Sequence, residues 1–171
     1  MVAPLKDPQA IPALVDTFSI GSSSTVVDAL ADFGEEAAPA LLAGVMSPQS
    51  HYNAVNDGLM TLRMMVEDAG THPLSAGTLG EIRRVAEHFL TAPERPPSIG
   101  TTLWSAIDLA AVLKDPGLRQ IVGALASDPK EVIARGVTDP GDIARTQKWA
   151  ADRLAGVPLL PPPVSRRLPR H

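Results

Sequence analysis

Four histidines are the first residues to test for chemistry, because imidazole binds metal ions and transfers protons near neutral pH. They are His51, His72, His88 and His171. None belongs to a pair of the HExxH kind, which places two imidazoles on one face of a helix. Since a metal ion needs clustered ligands, the sequence predicts isolated surface histidines and no metal site.

Nucleophilic and cofactor-based chemistry finds little support in the residues. The 171-residue chain has no cysteine, which excludes thiolate catalysis, disulfides and cysteine-based zinc or iron–sulfur sites. It also lacks the glycine-rich phosphate loop, the GxGxxG turn and the GxSxG nucleophile elbow. We therefore expect a non-enzymatic protein that carries no cofactor.

Three aspartates recur in similar sequence contexts. Asp28 lies in VDAL, Asp57 in NDGL after an offset of 29, and Asp108 in a later IDL. If the helices that carry them stack in register, the carboxylates form an acidic ladder on one surface. Such a ladder favours a basic peptide or another cationic ligand. The alternative is that these aspartates are solvated or pair with Arg63 or Lys114.

Other polar and adaptable side chains extend this candidate surface. Asn53, Asn56 and Met60 lie on the same predicted helix as Asp57. Met60 suits an adaptable interface, although methionines at helical spacing also fill cores. Trp149 lies off the apolar stripe of its predicted helix and is a candidate exposed anchor for a partner, with packing against a flanking helix as the alternative.

The charge of the chain argues against nucleic acid as the main ligand. The formal net charge is −4, and phosphate binding requires a basic face. Residues 156–171 contain three arginines and no acidic residue, so the remainder is more acidic still. This proline-rich and arginine-rich segment is predicted to be a mobile tail that either extends freely, docks on a partner or folds back onto the acidic surface.

The elements that must position these residues are all helices. AIPALV at residues 10–15 recurs as AAPALL at residues 37–42, an offset of 27. Asp7 can cap the first of these helices, and Pro12 and Pro39 predict that each helix bends or begins late. A second amphipathic helix follows each copy, at residues 26–33 and 50–67.

These segments resemble a known repeat family. DPQAIPALV and DFGEEAAPALL are similar to the short HEAT-like repeats of the phycobilisome-lyase type, over residues 5–69. The family's inter-helix turn, which has an aspartate and a downstream arginine, is replaced here by GSSST. The resemblance implies helix pairs stacked into a right-handed α-α solenoid, with the second helices on a concave binding face. It also implies two alternative activities found in HEAT-like proteins, bilin attachment and excision of damaged bases.

The second half of the chain is also predicted to be helical. An amphipathic helix at residues 79–90 is followed by a very apolar helix at residues 101–113. Three further helices open at Asp115-Pro116, Asp128-Pro129 and Asp139-Pro140. With about nine helices and no strand, the prediction is an all-α solenoid, with an irregular helical bundle as the alternative.

These observations lead to one functional hypothesis. We expect residues 1–155 to form a single helical-repeat domain that binds a protein or basic peptide as a scaffold. Without a secretory signal or an apolar stretch of about 20 residues, the chain is expected to be cytoplasmic and not membrane-bound. Self-association is the structural alternative, and the apolar helix at residues 101–113 would supply the interface if its outer side were exposed.

Overall fold

The computed structural model describes residues 7–18, 24–48, 50–93 and 101–157. These residues are helical and contain no strand, so the predicted all-α class is confirmed. None of the described helices is both long and apolar enough to cross a bilayer. The described part of the chain has nine α-helices: α1 (Ile11–Thr17), α2 (Ser24–Phe33), α3 (Ala38–Met46), α4 (Tyr52–Glu67), α5 (Ala76–Thr91), α6 (Thr101–Leu113), α7 (Pro116–Ser127), α8 (Pro129–Ala134) and α9 (Pro140–Leu154).

The 27-residue sequence repeat has a matching backbone structure in its two copies. A 3-10 turn at Pro8–Ala10 leads into α1, and a second one at Gly34–Glu36 leads into α3. Pro12 and Pro39 each lie in the first turn of the α-helix that follows. Proline is tolerated there because the backbone N–H at that position has no partner within the helix. Both α-helices therefore begin late, which is one of the two predicted outcomes.

Aspartate–proline pairs begin helices throughout the chain, as predicted. Asp7, Asp115, Asp128 and Asp139 are N-cap residues with extended backbone, and a proline follows each in the first turn. Each aspartate side chain accepts a hydrogen bond from a backbone N–H two or three residues ahead. These caps satisfy donors that the helix itself leaves open.

The helices contact one another in two rows. We call α1, α3, α5 and α7 the first-helix row, and α2, α4, α6 and α9 the second-helix row. Within each row every helix contacts the next one in this order. Across the rows, α1 contacts α2, α3 contacts α4, α5 contacts α6, and α7 contacts α9, while the short α8 contacts both α7 and α9.

Neighbouring helices of the second-helix row run in the same direction. Asn56 Nδ2 of α4 donates a hydrogen bond to Thr101 Oγ1 of α6 at 3.2 Å. Seven residues further along both helices, Arg63 of α4 lies near Asp108 of α6. The evidence is electrostatic: burial raises the pKa of Asp108, and the positive charge of Arg63 is one of the influences that oppose this rise. Two contacts with equal spacing on both helices require α4 and α6 to be parallel.

Helix α6 is at the centre of the molecule. It contacts α4, α5, α7 and α9. None of its thirteen residues is exposed, and five are fully buried: Leu103, Ala106, Ile107, Leu109 and Ala110. The apolar composition of this helix therefore reflects its position in the core. The exposed outer side that self-association through this helix requires is not present.

Candidate functional site

Asp108 connects α6 to α9 through two hydrogen bonds. Its Oδ1 accepts from Arg153 Nε at 2.7 Å and from Trp149 Nε1 at 3.0 Å. Only 16% of the Asp108 side chain and 7% of the Arg153 side chain are exposed. Burial raises the pKa of Asp108, and the hydrogen bond and charge of Arg153 partly offset this effect. This carboxylate is engaged inside the protein and does not form part of an open acidic ladder.

Beside Asp108, two tryptophan rings pack against each other, and each ring is also contacted by one arginine. The rings of Trp104 and Trp149 lie 6.0 Å apart at an interplanar angle of 28°. The guanidinium of Arg145 lies 5.7 Å from the Trp104 ring, and that of Arg153 lies 4.5 Å from the Trp149 ring. Trp104 also donates its indole N–H to the buried Thr146 hydroxyl at 2.8 Å. Cation–π and aromatic contacts of this kind hold α6 and α9 together.

Trp149 is therefore not the exposed anchor that was one of the two interpretations of its sequence position. Its ring is partly buried because it packs against Trp104, and its N–H is bound to Asp108. The alternative interpretation was that Trp149 packs against a neighbouring helix, and it does so against α6. We call Trp104, Asp108, Trp149 and Arg153 the α6–α9 cluster.

A second polar contact region lies between α4 and α6. We call Asn56, Met60 and Arg63 with the α6 residues Thr101 and Asp108 the α4–α6 seam. Asn56 Oδ1 and Arg63 Nε are buried, and neither has a hydrogen-bond partner among the described residues. The Arg63 side chain is only 13% exposed, and its Nε lies 3.7 Å from Glu67 Oε2. A buried polar atom without a partner costs about 1–3 kcal/mol, so these two atoms favour a ligand that pairs with them.

The other predicted binding residues lie on α2 and α4. Asp28 and Asn53 are exposed, whereas Asp57 and Met60 are partly buried, and Met60 packs against the core. Because α2 contacts α4, these side chains belong to one end of the second-helix row. This end is acidic. At the opposite end, on α9, the exposed Arg145 is paired with Asp142 at 2.9 Å, and Asp108 is paired with Arg153.

The histidines have local structural contacts. His51 is the N-cap of α4, where its ring accepts a hydrogen bond from the Asn53 N–H. His72 lies 2.6 Å from the Asp68 carboxylate, and His88 is exposed near the end of α5. No group of three metal-ligand side chains occurs among the described residues. His171 lies outside the described residues.

Most contacts within the α6–α9 cluster were not predicted from the sequence. Arg145, Trp149 and Arg153 are spaced four residues apart on α9, and Trp104 and Asp108 have the same spacing on α6. Residues four apart lie on one face of a helix. The spacing predicts that these residues form one stripe on α9 and another on α6. It does not predict that the two stripes face each other.

Comparisons with protein-family models, with curated proteins and with solved structures find no match to this chain.

Proposed function

We propose that the protein is a short HEAT-like α-α solenoid that binds a protein or basic peptide along its second-helix row, without enzymatic activity. Two features support the solenoid arrangement. The helix pairs α1–α2, α3–α4, α5–α6 and α7–α9 follow one another along the chain, and each pair contacts the next one through both rows. In addition, α4 and α6 are parallel, as repeated pairs require.

The observation that carries the proposal is a pair of buried atoms in the α4–α6 seam that lack a hydrogen-bond partner among the described residues, although Arg63 also forms an ion pair with Glu67. Asn56 Oδ1 is a hydrogen-bond acceptor and Arg63 Nε–H is a donor. The two residues are seven positions apart on α4, or about 10.5 Å along the helix axis. An extended chain rises about 3.3 Å per residue, so three residues of a bound peptide span this distance. Its backbone N–H can pair with Asn56 and its carbonyl with Arg63.

Access to these atoms depends on the side chain between them. Met60 lies one turn from Asn56 and about one turn from Arg63 on the same helix. Both atoms are covered in the free protein. A methionine side chain is unbranched and rotates readily, so Met60 is suited to move aside when a peptide enters.

The charge distribution predicts how the partner is oriented. Asp28 and Asp57 make the α2–α4 end of the row acidic, whereas the exposed cations of α9 are paired on their own helix, Arg145 with Asp142 and Lys148 with Asp152. Complementary charge orients partners and raises the association rate. The basic residues of the partner are therefore expected over α2 and α4, and its neutral residues over α9.

Selection from a random peptide display library tests this proposal. Enriched peptides are expected to be basic and to bind the wild-type protein in a titration. The variant that combines Asn56→Ala with Arg63→Met, checked for helicity, should bind them about tenfold more weakly, since two hydrogen bonds are lost. Glu81→Lys, an exposed site on the first-helix row, is the matched control and should not change the affinity.

Equal binding of the selected peptides to wild type and to the Asn56/Arg63 variant would contradict the seam as the binding site. A separate Asp28→Lys/Asp57→Lys variant tests the charge argument. It should lose affinity for the basic peptides at low salt and lose much less at high salt, because ions screen exposed charges.

A further inference from the structure

A cavity of about 240 Å³ lies between α6, α7 and α9. Three cationic side chains line it: Lys114, Arg119 and Arg153. The rest of the lining is apolar and includes Val122 and Leu154, and no acidic residue contributes to it. The cavity lies outside the α4–α6 seam and uses different residues.

The three cations differ in how far their charges are compensated. Arg153 is paired with Asp108 and also donates to the Val157 carbonyl at 2.9 Å. Arg119 donates one N–H to the Leu154 carbonyl at 3.2 Å, and no described acidic residue forms an ion pair with it. Lys114 is exposed and likewise has no ion-pair partner in the described part of the chain. Arg119 and Lys114 therefore contribute two uncompensated positive charges.

The C-terminal ends of α6 and α9 explain in part why cationic side chains gather at this cavity. Helix C-termini carry a partial negative charge that attracts cations, and Arg119 and Arg153 bind carbonyls near the end of α9. Lys114 follows Leu113, the last residue of α6, and its positive φ (54°) is the left-handed conformation that commonly ends a helix. Unlike the two arginines, its side chain makes no carbonyl contact among the described residues, so its charge is open to a ligand.

We propose that this cavity binds the terminal carboxylate of a small amphipathic molecule. Lys114 and Arg119 pair with the carboxylate, and the apolar group lies against Val122 and Leu154. Because Arg153 is already paired with Asp108, Lys114 and Arg119 are the two cations that remain for a ligand carboxylate. The volume corresponds to about eight groups the size of a water molecule, each about 30 Å³.

Two sources supply this chemistry: a free organic acid, or the C-terminal carboxylate of a partner peptide. The site does not depend on the proposed peptide-binding surface. If the peptide-binding proposal fails, the carboxylate-binding proposal can still be tested, and the reverse also holds.

Titration of the full chain with octanoate at low salt tests the proposal. Trp149 stacks under Arg153, so tryptophan fluorescence reports binding. We expect saturable binding that weakens about tenfold in Lys114→Asn and in Arg119→Gln, since each removes a charge-assisted contact. Asparagine tolerates positive φ, which keeps the backbone of the first variant intact. Lys148→Gln, an exposed cation on α9, is the matched control and should bind as wild type.

Octanol and a pair of short apolar peptides complete the experiment. Octanol should not compete, because it lacks the carboxylate. The site is assigned to a partner's C-terminus if the peptide with a free C-terminal carboxylate binds more tightly than octanoate and the amidated peptide does not bind. It is assigned to a free organic acid if octanoate binds more tightly than the peptide. Absence of saturation at millimolar octanoate, equal binding of octanol, or wild-type affinity in the Lys114→Asn/Arg119→Gln double variant would each overturn the proposal.

Discussion

The Asp108 carboxylate joins α6 to two turns of α9, because one oxygen accepts hydrogen bonds from both Trp149 and Arg153. The two donors are 41 and 45 residues away in the sequence. A buried carboxylate and a buried guanidinium depend on each other, since either one alone would be an uncompensated charge. This pair is thus the point where the second-helix row is most sensitive to substitution.

Removing the carboxylate should destabilise the protein strongly. Asp108→Ala leaves the buried Arg153 guanidinium without its partner, and we expect a loss of about 3 kcal/mol in the free energy of unfolding. Asp108→Asn keeps an acceptor for Trp149 and should cost about half as much. Urea denaturation followed by circular dichroism measures both. A loss below about 0.5 kcal/mol for Asp108→Ala would show that the pair contributes little.

Glu35 should make stability depend on acidic pH. Hydrogen bonds from the Thr78 hydroxyl and from the backbone and side chain of Ser75 lower its pKa below 4.5. The native state then binds fewer protons than the unfolded state. The stabilisation is present above the unfolded pKa and is lost as pH falls through the lowered folded pKa.

Comparison of wild type with Glu35→Gln between pH 7 and pH 2 measures this contribution. The difference in unfolding free energy should be largest at neutral pH and should disappear in acid. Glu36→Gln, at the adjacent exposed position, is the control and should follow the wild-type pH profile. A Glu35→Gln profile parallel to wild type over the whole range would refute the link between these hydrogen bonds and stability.

Gly58 should be sensitive to the smallest side chain. A Cβ at this position would clash with Val45 Cγ2, where α4 packs against α3. Gly58→Ala is therefore expected to cost about 1–3 kcal/mol through overpacking. Gly123→Ala in α7 meets no atom within 4 Å and should instead stabilise the helix by about 0.5–1 kcal/mol. Thermal melts of the two variants should shift in opposite directions; a shared direction would contradict this packing argument.

The stacked tryptophans should give a spectroscopic signal. Trp104 and Trp149 are close enough, at 6.0 Å between ring centroids, for their electronic transitions to couple. Circular dichroism of the native protein should therefore contain a tryptophan couplet that is lost in Trp104→Phe and equally in Trp149→Phe. A couplet that persists in either variant would show that the signal has another origin, because each variant retains a single tryptophan.

Local signals explain why part of the fold was predictable. The caps at Asp115, Asp128 and Asp139 act on backbone groups two or three residues away. Helix α6 was predicted at residues 101–113, and it begins and ends there. The predicted helix at residues 79–90 is longer in the structure, Ala76–Thr91, since Ser75 caps it earlier. All but the first two residues of the predicted tail at residues 156–171 lie outside the described residues, so its mobility stays a prediction.

The candidate site was predictable only in part. The helix pattern placed Asn56, Asp57 and Met60 on one helix, and this assignment is confirmed. The unpartnered atoms of Asn56 and Arg63 could not be anticipated. Whether a buried atom has a partner depends on the neighbouring helix, which here supplies Thr101 to the amide nitrogen and nothing to the oxygen.

The sequence by itself determined the helical class, the positions of the aspartate caps and the 27-residue repeat, because propensity, capping and proline effects act within one turn of a helix. Only the tertiary structure decided that Asp108 pairs with Arg153, that Trp149 packs against Trp104, and that α6 is central. These outcomes depend on which helices become neighbours. Which helices become neighbours depends on packing between residues more than forty positions apart. Local periodicity does not contain this information.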